Sequence, residues 1–237
     1  DEPTPAGDMD AAAEWTVRKC AAAGLEHMAR LYGVAVLPTL LPMLQERLAD
    51  GSHWAIRESG VLALGAVAPG CYKGMVPHLP VLVPYLIELL KDTSPMVRCV
   101  ACWTLSRYAG WIIRQKDGVS LQNGHTYNGQ QMFQNLLGQM LDCVLDDCKV
   151  VQAAGCSAFA ALAEDAEDEL KEFLGPILQM LRQAVDKYQR KNSLALYDAI
   201  GTLARCVGPE VGKRENVDII APPLVNRWTS LAEDDPS

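Results

Sequence analysis

Trp103 and Arg107 stand four residues apart in the stretch RCVACWTLSRYAGW, which runs from Arg98 to Trp111. On a helix that spacing puts the indole and the guanidinium on one face, a turn apart. Their chemistry is that of binding. An indole stacks on a ligand side chain, and a guanidinium offers a rigid fork of N–H donors to carbonyls or a carboxylate. The pair also has a structural reading, in which Trp103 fills the space between two repeats and Arg107 pairs with a neighbouring carboxylate. Spacing alone does not choose between the two. Residues that could break bonds are scattered. His27, His53, His78 and His125 fall in different segments, with no Cys/His/Asp group at metal-ligand spacing. The eight cysteines lie mostly in Ala- and Leu-rich runs, and Cys99 with Cys102 forms a lone C-x-x-C. Free, mostly buried thiols in a reducing compartment are expected, with no metal. No P-loop, dinucleotide glycine fingerprint, HExxH or nucleophile elbow occurs, so no enzyme is expected. The acidic pairs Asp146–Asp147 and Glu164–Asp165 read as solvated turn residues, with Glu164 held open as a binding group.

The totals set the partners. The 237 residues are 49% hydrophobic and 6% aromatic and carry a net charge of −8. Such a composition is globular, and the dominance of Ala and Leu favours helix. No Lys/Arg stripe exists to neutralise phosphates, so direct nucleic-acid binding is not expected. A basic peptide would be steered favourably. No long uncharged apolar run predicts a membrane span. The opening DEPTPAGDMDAAAE is acidic and does not read as a targeting peptide.

What could position Trp103 and Arg107 is a repeat. Leading segments begin near a proline and carry spaced leucines: 34–50, 75–92, 130–147, 170–188 and 216–233. Trailing segments are richer in small residues: 14–33, 53–71, 95–113, 149–167 and 191–208. Aligned on Val17, Ile56, Val97, Val151 and Leu194, the trailing segments recur about every 40 residues, a period of paired helices. The one longer interval holds an insertion at 114–130 with two Asn-Gly steps, which reads as a loop. The fold class expected is all-α, a HEAT-repeat superhelical solenoid, in which each pair buries its apolar faces only against its neighbours. The array at 14–233 would hold one trailing helix, four pairs and one leading helix. Residues 1–13 would be an acidic linker and 234–237 a truncated tail. Prolines in the leading helices (Pro38, Pro42, Pro77, Pro80, Pro176, Pro222 and Pro223) predict local bends. Gly60, Gly65 and Gly155 inside trailing helices predict close packing there. Alternation typical of strands is absent.

The repeat register also groups residues. Ala23, Leu62 and Trp103 each lie six positions after the alignment residue and so form one stripe across three successive trailing helices. Glu26 and Arg107 follow on the same side.

From about Trp15 onward the chain resembles the transportin (karyopherin-β2) class of nuclear import receptors, within the importin-β superfamily. The resemblance rests on HWAIRESGVLALGAVAPGC, GMVPHLPVLVPYLIELLKD, VRCVACWTLSRYAGWI, VQAAGCSAFAALAEDA, YQRKNSLALYDAIGTLA and IIAPPLVNRWTSL, collinear and in order. It implies a central fragment of a receptor that binds basic, disordered nuclear localisation signals ending in a proline–tyrosine pair. Cargo would be RNA-binding and other proteins, with the signal extended along the concave wall. Ran in its GTP-bound form would release cargo in the full-length receptor through an acidic loop, of which 1–13 would be a remnant. Nucleoporins would be further partners, the receptor would shuttle between cytoplasm and nucleus, and no cofactor of its own would be needed. By the resemblance, the proline–tyrosine pocket comprises Ala23, Glu26, Leu62, Val100, Trp103 and Arg107. Upstream signal residues would meet Ala154, Glu164 and Asp198. Two departures stand out: the family has an aspartate where this chain has Glu26, and often an acidic residue near Arg205. The alternative is a HEAT-repeat scaffold with no transport role.

Overall fold

A computed structural model describes residues 17–49, 53–115, 119–120, 126–188 and 192–234. The expected linker at 1–13 and most of the tail lie outside the described residues, as do parts of the insertion. The described helices are α1 (Val17–Tyr32), α2 (Leu37–Ala49), α3 (Trp54–Met75), α4 (Leu79–Glu88) and α5 (Pro95–Ile113). After the insertion come α6 (Gly129–Val144), α7 (Lys149–Ala166), α8 (Leu174–Lys187), α9 (Ser193–Val207) and α10 (Arg214–Asp234). Odd-numbered helices are the trailing kind and even-numbered ones the leading kind. Short 3-10 turns, such as Glu167–Phe173 before α8, join several of them.

Local chemistry sets the helix ends. Asn128 Oδ1 accepts from the N–H groups of Gln130 and Gln131 at 3.0 and 3.2 Å, capping α6. Gly208, at φ +59°, ends α9 in a conformation that other residues rarely adopt. Four of the prolines expected to bend helices instead begin them. Pro38, Pro80 and Pro176 fall in the first turn of α2, α4 and α8, and Pro77 in the 3-10 turn before α4. There the missing N–H has no intrahelical partner to lose. Pro42, Pro222 and Pro223 do lie inside helices, as does Pro84 of α4. One feature runs against the all-helical expectation: within the insertion, Val119–Ser120 and Thr126–Tyr127 pair as a small antiparallel ladder.

The stack is a HEAT-type solenoid. Its core is continuous, with Leu64, Met75, Leu105, Tyr108, Met140, Phe159 and Leu162 all fully buried. The trailing helices pack side by side in an unbroken row, more extensively than the leading helices do. Clefts open between leading helices, one of about 810 Å³ between α4 and α6 and one of about 320 Å³ between α8 and α10. Glycine makes the close approaches possible, as expected. A Cβ at Gly155 would come within 2.8 Å of the Val144 backbone, and one at Gly60 within 3.1 Å of Leu48.

Polar side chains lock each unit to the next. Arg57 of α3 grips Asp92 in the following turn at 3.0 Å, and Arg98 of α5 grips Asp146 at 2.9 Å, with all four side chains largely buried. The same carboxylates order the turns that lead into the next helices: Asp92 accepts from Ser94 N–H and Asp146 from Cys148 N–H, each at 2.8 Å. At the third step an amide pair takes over, Asn192 Nδ2 donating to Gln152 Oε1 at 2.7 Å. Buried tyrosine hydroxyls add cross-links, with Tyr108 donating to Leu64 O at 2.9 Å and Tyr188 to Val144 O at 2.6 Å.

Candidate peptide-binding site

Trp103 projects from α5 across α3. It can do so because position 65 carries no side chain: a Cβ there would lie 2.2 Å from Cζ3 of the indole and 2.8 Å from Thr104 Oγ1. Thr104 in turn donates to Val61 O at 2.9 Å, fixing how α5 sits on α3. The result is neither of the two simple readings of the sequence. Trp103 is half-buried, with its edge against α3 and part of its surface open.

Arg107, one turn on, lies over that indole, with Cζ 4.3 Å from the ring centroid. Such stacking is worth about 0.5–1 kcal/mol at a partly exposed site. From there its guanidinium reaches Glu26 of α1 at 3.2 Å, spanning the whole of α3. Glu26 also accepts two bonds from Arg30, at 2.7 and 3.2 Å. The bonds from Arg30 hold the Glu26 carboxyl below the usual carboxylate range; burial opposes this and the charge of Arg107 reinforces it. Glu26 is therefore ionised at neutral pH. Glu26, Trp103 and Arg107 thus form one layered group over three trailing helices, and several guanidinium N–H donors of Arg107 remain beyond the bond to Glu26.

The other residues of the stripe lie on the same helices. Ala23 of α1, Leu62 of α3 and Val100 of α5 are all half-buried. Further along the row, Ala154 of α7 is half-buried, whereas Glu164 in the last turn of α7 and Asp198 of α9 are exposed. Glu164 is brought to a partner, Arg205 of α9, at 2.7 Å. Two contributors are absent from the sequence-derived set. Arg30 could have been read from its four-residue spacing to Glu26. Gly65 was read as a packing glycine, but which side chain packs there has no one-dimensional signal.

The thiols have no role in the group. Burial pushes Cys99 and Cys156 up to about 11, which leaves them as thiols at neutral pH. Among the described residues no three His, Cys, Asp or Glu side chains gather to hold a metal, and no helix is long and apolar enough to cross a membrane.

The fold is that of a HEAT-repeat protein, and its closely packed helix row carries the half-open Trp103 with Arg107 and Glu26. A family model for the HEAT-like repeat matches residues 54–108. Over 230 residues, 96% of its length, the chain is 47% identical to transportin-1 of Oryza sativa subsp. japonica and covers 25% of that protein. It is 45% identical to human transportin-1 over 94% of the chain and 23% of the relative. It is 42% identical to importin subunit beta-2 of Schizosaccharomyces pombe over 96% of the chain and 24% of the relative. The chain belongs to the transportin family, HEAT-repeat proteins of the importin-β superfamily, and spans about a quarter of the length of the relatives it matches. Among solved structures, Kap95p in a study of its binding to RanGDP superposes with a TM-score of 0.77 at 18% identity, covering 97% of this chain and 25% of that one. Kap121p superposes at 0.75 with 20% identity, over 96% of this chain and 21% of that one. At those identities the superpositions speak for the fold alone.

Proposed function

We propose that the chain is the cargo-signal-binding segment of a nuclear import receptor, and that its trailing-helix row binds the proline–tyrosine end of a nuclear localisation signal. The observation that carries this reading is the half-open Trp103 with Arg107 layered on it and anchored to Glu26. A signal tyrosine and proline pack against Leu62, Val100 and Trp103, with the small Ala23 leaving room beside them. Remaining donors of Arg107 bond to the extended peptide backbone. Ala154, Glu164 and Asp198 meet the residues upstream. Of the two helix rows, the trailing one packs more closely, which suits the inner, concave wall of a curved stack and a long, unfolded ligand. The acidic balance of the chain, −8 overall, suits a basic signal.

In the full-length receptor, cargo would be proteins with such signals, RNA-binding proteins among them. GTP-bound Ran would drive release, nucleoporins would be met during passage, and the receptor would shuttle between cytoplasm and nucleus. No cofactor is required of this segment.

The test is titration calorimetry with a peptide that carries an arginine-containing stretch followed by a proline–tyrosine pair. Trp103→Ala should weaken binding by roughly 1–4 kcal/mol, as an aromatic anchor does when truncated, with the circular dichroism unchanged. Unaltered affinity would leave only a scaffold of the HEAT class.

A further inference from the structure

Arg205 stands where it can decide which signals bind. It lies near the end of α9, and its guanidinium bonds Glu164 of the neighbouring α7 at 2.7 Å. Both side chains are open to solvent, 67% and 59% exposed. An ion pair this exposed adds at most about 1 kcal/mol to stability. Its larger consequence is electrostatic. Asp198 lies seven residues before Arg205 on the same helix, hence on the same face, about 10 Å away along the axis at 1.5 Å per residue. That is somewhat beyond the Debye length of about 8 Å at physiological salt, so Arg205 offsets Asp198 only weakly, whereas it is paired directly with Glu164.

We infer that Arg205 is a specificity-determining residue: it occupies Glu164 from within the chain and turns the Glu164–Asp198 subsite against signals that place an arginine or lysine there. This inference rests on the reading of the trailing-helix row as a peptide-binding wall. A cationic residue arriving at Glu164 must displace Arg205 or share the carboxylate with it, and in either case sits beside a like charge. A small neutral residue leaves the pair intact. Signals therefore bind this chain through the Trp103 group, with little gain from a basic residue at the Glu164 subsite. Glu26 is also paired internally, by Arg30 and Arg107, but Arg107 there stacks on the indole and leaves it half open for an apolar residue, whereas at Glu164 the acid is, among the described residues, the only recognition group Arg205 touches in this subsite.

Two fluorescent peptides that share a proline–tyrosine end and differ only at the residue directed to this subsite, arginine in one and alanine in the other, test the inference by anisotropy. The unaltered chain should bind both with affinities within about two-fold. Arg205→Ala should tighten the arginine peptide about three- to five-fold, the scale of one rim charge interaction of up to about 1 kcal/mol, and leave the alanine peptide unchanged. Arg205→Gln, which removes the charge but keeps a donor, should give a gain in the same direction. Adding Glu164→Gln to Arg205→Ala should abolish the gain. Trp103→Ala should weaken both peptides. If Trp103→Ala weakens both but the Arg205 variants leave the peptide ratio unchanged, the role of Arg205 is overturned and the binding wall stands. If neither peptide binds the unaltered chain, the wall itself is overturned and this inference with it.

Discussion

A single absent methyl group sets the geometry of the Trp103 group. Trp103 crosses α3 where residue 65 is glycine, and Arg107, stacked on the indole 4.3 Å away, reaches Glu26. Gly65→Ala puts a carbon where the ring edge now lies, so the ring or the helix must move. Overpacking of this kind costs about 1–3 kcal/mol, partly offset by the better helix propensity of alanine. The expected result is a modest loss of stability in urea denaturation and a clear loss of affinity for a proline–tyrosine peptide, because the stacking surface is displaced. An affinity equal to that of the unaltered chain would mean that the indole position is not what the peptide reads. At this scale the sequence was legible in part. The four-residue spacing of Trp103 and Arg107 placed them on one face, but the bond from Arg107 to Glu26 skips an entire helix and leaves no mark in local spacing. The pairing of Glu164 with Arg205, 41 residues apart, is likewise invisible until the helices are stacked.

Between elements, the strongest polar links are the buried ones that run from each trailing helix into the next turn. Asp146 holds two structures at once, the Arg98 fork and the turn that leads into α7, where it accepts from Cys148 N–H. Asp146→Ala leaves a largely buried guanidinium without its partner and loosens that turn, which should cost about 3–5 kcal/mol. Gln152→Ala, at the step where an amide pair replaces the ion pair, should cost about 1–3 kcal/mol. Equilibrium urea denaturation of the two variants compares them directly, and equal losses would contradict the ranking. The pairing of helices was readable because the pattern of leucines and small residues repeats, and each unit must cover the next. The locks were also written in the sequence, since Arg57, Arg98 and Gln152 each follow an alignment residue, but an arginine at one position of a helix does not name its acceptor. Two smaller features escaped. Two-residue strands such as Val119–Ser120 are too short for alternation to register. Early prolines read as kinks when they were starts, because one residue decides whether a proline falls in the first turn or past it.

As a whole molecule the chain is a one-dimensional stack, in which each helix pair is supported chiefly by its neighbours. That architecture gives two long faces of different character. The trailing row is closely packed and carries the indole, the arginines and the carboxylates. The leading row is parted by clefts lined by residues such as Tyr85 and Met132. A ligand that is extended and basic at one end and aromatic at the other matches the first face, and the central claim is that the signal lies there. Photocrosslinking tests this directly. A peptide in which the tyrosine of the proline–tyrosine pair is replaced by benzoylphenylalanine is irradiated with the chain, and the adducts are mapped by mass spectrometry. The account predicts adducts on α1, α3 and α5, at or beside Ala23, Leu62 and Trp103, lost when excess unlabelled peptide competes. Adducts confined to the α4–α6 cleft around Tyr85 and Met132, with Trp103 and its neighbours unlabelled, would contradict it.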